Sequence, residues 1–211
     1  MAVVKHRRTG KVLLKVKNSS FAGKVLKGFD LAGADFSGCD LTNCVFTSCK
    51  LTDADFRKAD MRGVQMNNSV ARRADFSGAD LSKADFSDGV FDGARFIRCT
   101  AVETKFRHSK INKAEMTGGN FQKSDFFFAE LRSDFQAADL RETNLFGADL
   151  TEADFTQADL RKSNMTDATI IKAVFSYSKM QDSIGTNGQL WGYTRKADKK
   201  PWWQIWKSAA M

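Results

Sequence analysis

The chain has 211 residues, 42% of them hydrophobic, and 33 lysines and arginines against 25 acids give a net charge of +8. It has no apolar run long enough for a membrane-spanning helix, and its basic start, Lys5-His6-Arg7-Arg8, is not followed by the apolar stretch of a signal peptide, so a cytoplasmic location is expected. The only histidines, His6 and His108, have no Ser or Cys at motif spacing, and no glycine-rich phosphate loop follows a strand; no catalytic residue, cofactor or metal site is expected.

The charge is unevenly divided. Residues 1–29 hold eight basic residues and no acid, residues 186–211 carry +4, and residues 30–185 are left with −4. A mildly acidic body with two basic ends lacks the basic, aromatic-lined surface that direct nucleic-acid binding needs. Residues 1–18 alternate as two short strands around Arg8-Thr9-Gly10, which predicts a basic β-hairpin capping the next element. Its lysines and arginines could instead meet an anionic surface.

From Phe21 to Met180 one apolar side chain recurs every five residues, 33 in all, with a single four-residue step between Leu131 and Phe135. Two places before each stands Ala, Ser, Cys, Thr or Gly in 30 of the 33 units, the exceptions being Lys24, Phe29 and Val64. Such a period fits neither a helix nor an alternating strand, and units too small to bury their own apolar residue must stack as a solenoid. Taking every fourth centre gives the column Phe36, Phe56, Phe76, Phe96, Met116, Phe135, Phe155 and Phe175, the expected structural core. The column survives the four-residue step, which predicts a tightened corner without rotation of later faces. Ala71 and Ala101 are undersized centres that neighbours should compensate.

The spelling Ala34-Asp35-Phe36-Ser37-Gly38, Ala79-Asp80-Leu81-Ser82-Lys83 and Ala153-Asp154-Phe155-Thr156-Gln157 resembles the pentapeptide-repeat family over about three quarters of the chain. The resemblance implies an all-β fold, a right-handed quadrilateral β-helix with four pentapeptides per coil, spanning residues 19–183 here. About eight coils stacked about 4.8 Å apart would stand roughly 40 Å tall. Cys39, Cys44, Cys49 and Cys99 all take the small inward position, which suits free thiols acting as small hydrophobes better than a zinc site.

Three surfaces are candidates for function. Asp35, Asp55 and Asp75 on one face and Asp40, Asp60 and Asp80 on the next form an acidic stripe. Family members that protect DNA gyrase resemble B-DNA in width and charge, and such a stripe is what mimicry would use. Phe127, Phe128 and Phe146 lie outside the repeat positions and should form an exposed aromatic patch, with Phe127 stacked on Phe146 one coil later. In residues 184–211, Pro201 predicts a short helix beginning near residue 199 to 201, with Trp202 and Trp206 on one face and Trp203 beside them. That tail could cap the barrel, seal a homodimer or rest on a membrane surface. A non-enzymatic scaffold or protein-binding solenoid is the expected function; a DNA-mimicking binder of a type II topoisomerase such as gyrase and a peripheral membrane adaptor are the alternatives.

Overall fold

The computed structural model describes residues 2–16 and 20–191. Strands β1 (Ala2–Lys5) and β2 (Val12–Val16) pair antiparallel as a hairpin. Every later pairing is a single-residue bridge, and the parallel ones run from Val25–Val45 to Asn164–Ile184. Their offset is twenty residues, or nineteen for the four bridges from Glu115–Asp134 to Glu130–Asp149, so four pentapeptides make one coil. Most corners are β-turns closed by a hydrogen bond such as Cys44 N–H to Leu41 O, 2.9 Å, with positive φ at the third position, 55° at Asn43. That is the type II pattern. The aspartates before the centres hold these corners: Oδ1 of Asp35, Asp75 and Asp154 each accepts the backbone N–H two residues on, at 2.8–3.0 Å. Aspartate favours that local turn.

Inside, the aromatic column stacks in two runs, parted by Met116. Phe36, Phe56, Phe76 and Phe96 stack nearly parallel at 5.2, 5.0 and 4.8 Å, and Phe135, Phe155 and Phe175 resume at 5.1 and 5.0 Å. These separations follow the spacing of paired strands. Across the barrel the rings meet edge to face, as Phe76 does with Phe86 at 5.6 Å and Phe96 with Phe106 at 5.9 Å. The four-residue step shortens the coil offset to nineteen, with Glu115 bridging Asp134, and leaves the faces aligned. Ser133 fills the shortened corner: its hydroxyl donates to Ile111 O and accepts the Ala114 N–H at 2.9 Å.

The undersized centres have a specific compensation. One coil beyond Ala71 lies Phe91, and one coil beyond Ala101 lies Phe121; each ring folds over a glycine two residues earlier, Gly89 and Gly119. A Cβ on Gly119 would stand 2.6 Å from Phe121 Cε2, and one on Gly89 would collide with Phe91 in the same way. Gly89→Ala and Gly119→Ala are therefore expected to cost about 1–3 kcal/mol each through overpacking, measured as a lower urea midpoint.

Polar side chains reach the inward positions by bonding to coil carbonyls. Ser69 Oγ donates to Phe46 O at 2.5 Å and Thr104 Oγ1 to Leu81 O at 2.8 Å, while the Cys44 and Cys49 thiols meet Phe21 O and Leu26 O at 2.7 Å. All four cysteines are free thiols, and burial pushes Cys44 up to about 11.

Both ends of the described barrel are covered. At the first, Asp35 N–H donates to Lys5 O and Arg7 N–H to Gly33 O, each 2.8 Å, and Val4 is fully buried in the common core. At the other, Ile184 bridges Leu190 antiparallel and Trp191 lies edge-on to Phe175 at 6.1 Å. No helix occurs among the described residues. The helix expected near residue 199, with Trp202, Trp203 and Trp206, lies outside them.

Candidate functional site

The acidic stripe is in place, but it is an ion-pair ladder rather than an open negative field. Asp55 and Asp60 sit 2.6 Å from Arg57 and Arg62, the arginines two residues ahead, and Asp139 and Asp159 hold Arg141 and Arg161 at 2.5 and 2.6 Å. Arg95 lies 3.7 Å from Asp75 and Arg62 4.0 Å from Asp80. Of the six stripe aspartates, Asp35 and Asp40 alone have no arginine or lysine within ion-pair distance among the described residues. Asp40 bonds instead to Thr42 Oγ1 at 2.8 Å and Ser20 Oγ at 3.2 Å.

These contacts hold several carboxylates below their ordinary range. The Arg62 and Arg161 guanidinium hydrogen bonds do so for Asp60 and Asp159, and the Thr42 hydroxyl does so for Asp40. A depressed carboxylate contributes stability that is complete above its unfolded pKa, about 3.9, and is lost as the pH falls through the lower folded value. The urea midpoint is accordingly expected to fall on acidification below about pH 4, and Arg62→Gln with Arg161→Gln to flatten that fall. The pairs are solvent-exposed, so water screens them and their contribution at neutral pH is small.

On the opposite side of the barrel, the aromatic residues form one cluster at a single corner. Phe127 stacks on Phe146 at 5.5 Å and 15°, and Phe128 meets them edge to face at 4.7 and 5.8 Å. The preceding coil adds two residues. His108 lies parallel to Phe128 at 6.2 Å, and Arg107 places its guanidinium carbon 4.7 Å above the Phe127 ring. Asp125 anchors the group from below, accepting the Phe127 N–H at 3.1 Å, Arg107 Nη1 at 3.1 Å and Asn144 Nδ2 at 2.9 Å.

Phe128 is 49% exposed and its backbone is left-handed, φ 50°. Such a conformation disfavours bulky side chains. Its ring has room because residue 147, one coil on, is glycine: a Cβ there would stand 2.6 Å from Phe128 Cε1. The sequence marks Phe127, Phe128 and Phe146 directly as aromatics off the repeat. Arg107 and His108 carry no such mark, and the twenty-residue offset to Phe127 and Phe128 is the signal that brings them in.

Comparison with known proteins agrees with this architecture. The pentapeptide-repeat profile matches residues 16–48, 49–88, 90–126, 132–167 and 148–184, eight copies in all. The chain is similar in fold to HetL, a pentapeptide repeat protein involved in heterocyst differentiation regulation from the cyanobacterium Nostoc sp. strain PCC 7120. That similarity has a TM-score of 0.55 and 19% identity over 82% of this chain and 94% of HetL. It is similar as well to trypsin-treated QnrB1, a plasmid-mediated fluoroquinolone resistance protein, with a TM-score of 0.51 and 17% identity over 75% of this chain and 77% of that one. No curated protein sequence shows significant similarity to the chain. A right-handed β-helix solenoid follows from the repeats and these neighbours. With its repeats matched through most of residues 16–184 and its coils closing every twenty residues, the chain belongs to the pentapeptide-repeat family.

Proposed function

We propose that the chain is a non-enzymatic, protein-binding solenoid whose contact surface is the corner formed by Arg107, His108, Phe127, Phe128 and Phe146. One observation carries this reading: a mutually packed aromatic cluster is held outside a barrel whose core is already filled. Exposed contiguous apolar surface marks interaction sites, and aromatic side chains with arginine supply most hot-spot energy in protein interfaces. The cluster adds nothing to the inward columns, and Phe128 occupies a backbone conformation that a small residue would fill at lower cost.

Duplex mimicry gains no comparable support. The arginines beside Asp55, Asp60, Asp139 and Asp159 weaken the negative field that mimicry of a nucleic acid would use, and the likeness to QnrB1 is one of fold.

A photo-crosslinking amino acid in place of Phe128, with an equivalent probe at Lys162 on another corner, tests the reading in cells. The expected result is a discrete protein adduct at position 128 and none at 162. Equal labelling at both positions, or none at 128, would reject the corner as the contact surface.

A further inference from the structure

The N-terminal hairpin and the barrel enclose a cleft of about 380 Å³ that belongs to neither element alone. The hairpin turn supplies His6, Arg7 and Arg8, and the coils supply Asp53, Arg73 and Arg95. Two backbone bonds, Arg7 N–H to Gly33 O and Asp35 N–H to Lys5 O, hold the basic turn over the barrel wall. Four arginines face Asp53 and Asp75, a formal excess of +2 with His6 neutral. A barrel body carrying −4 thus has a positive recess at one end.

The four guanidiniums are not equally engaged. Arg73 is bidentate to Asp53, at 2.9 and 2.7 Å, and Arg95 reaches Asp75 at 3.7 Å and Glu115 at 3.3 Å. Arg7 offers Nη1 only to the backbone carbonyl of Asp53, at 3.3 Å, and Arg8 has no side-chain partner among the described residues. Neither forms an ion pair within 4 Å among the described residues, although both lie close enough to Asp53 to help hold its carboxyl below the usual range. His6 Nδ1 accepts the backbone N–H groups of Arg8 and Thr9 at 3.2 and 3.3 Å, so the neutral ring carries its proton on Nε2. That atom packs over Gly33, where a Cβ would stand only 2.5 Å from it. The recess therefore collects two uncommitted guanidinium forks and one imidazole donor, while its two carboxylates are already occupied.

We infer that this cleft binds a small phosphate-bearing molecule, gripped by Arg7 and Arg8 from the hairpin and by the outer edge of Arg73 from the coil. Guanidinium forks match the geometry of phosphate oxygens, and an anion between them relieves their mutual repulsion. The volume falls within the range of small-molecule sites and exceeds what one orthophosphate fills. A nucleic-acid strand would need a positive track leading away along the barrel, and the ion-paired, net acidic body provides none. Bound there, the ligand would fasten the hairpin to the barrel.

Calorimetric titration of the full chain with pyrophosphate at about 150 mM salt, with phosphatidylglycerol vesicles as a second arm, tests the assignment. Saturable pyrophosphate binding is expected, weakened about tenfold or more in Arg7→Gln/Arg8→Gln and unchanged in Lys123→Gln on a distant corner. Hydrogen exchange at the Arg7 and Asp35 amides should slow when pyrophosphate is added. Arg8→Gln alone, which removes no side-chain hydrogen bond or ion pair among the described residues, should fold as the parent does and still weaken binding. No heat at millimolar pyrophosphate, equal binding by the Arg7→Gln/Arg8→Gln protein, or binding to vesicles alone would each overturn it.

Discussion

Phe76→Ala is expected to lower stability by about 3–5 kcal/mol, the cost of emptying a fully buried aromatic site that its surroundings cannot refill. Phe76 stands between Phe56 at 5.0 Å and Phe96 at 4.8 Å, and it meets Phe86 and Phe91 edge to face at 5.6 and 6.3 Å. Its removal leaves a gap in the middle of a stack whose spacing is fixed by the hydrogen bonds of the coils, so neighbouring rings cannot slide together. The melting temperature should drop by about 6–20 °C, given about 2–4 °C per kcal/mol for a chain of this size. Solenoid coils contact chiefly their neighbours. The amides of Phe56, Phe76 and Phe96 should accordingly lose exchange protection before those of Phe155. Phe76→Leu should recover more than half of the loss.

Ala79→Asp is expected to be as damaging at neutral pH and much milder in acid. Ala79 is 1% exposed in the small inward position, between Ala59 and Cys99 of the adjoining coils, both 2% exposed. No cation lies within that column to pair with a carboxylate. The buried acid would keep its proton, so its folded pKa would rise well above the unfolded value of about 3.9. Between those two values the unfolded chain releases a proton that the folded chain retains, and the deficit against the parent grows by about 1.4 kcal/mol per pH unit. This pH-dependent part reaches about 4 kcal/mol near pH 7 and nearly vanishes below pH 4, where the steric and hydroxyl costs remain. Ala79→Asn, of similar size and without a titrating group, should show a deficit that does not change with pH. Urea unfolding of the parent and both variants at pH 4 and pH 7 separates the two.

Most of the barrel is legible in the sequence because inward positions repeat at a fixed interval and tolerate few residue types. The Phe36 to Phe175 column needs only the period of five and the multiple of four. What escapes that reading depends on contacts between coils or between unlike elements. Gly89 and Gly119 look like ordinary small residues until Phe91 and Phe121 are seen folding over them. The neutralised stripe is spelled in the sequence as Asp55-Phe56-Arg57 and Asp159-Leu160-Arg161, but outward charges carry no periodic constraint and read as scatter. Trp191 covers the described end of the column, and Trp202, Trp203 and Trp206, for which capping is one of three roles open in the sequence, lie outside the described residues. The Arg7 and Arg8 cleft requires knowing that β1 docks beside Gly33, and no spacing along the chain encodes that placement.

The separation of folding from binding is what the proposal of the aromatic corner as a site requires. Phe127 and Phe146 are partly exposed and touch no inward column, so Phe127→Ala/Phe146→Ala should shift the urea midpoint far less than Phe76→Ala. The same change removes most of the cluster around Phe128. Crosslink yield from the probe at position 128, measured in this double variant at matched expression, is the most direct test. A folded protein whose adduct is lost is the predicted result; a folded protein that forms the same adduct at the same yield would contradict the assignment of this corner as the partner-binding surface.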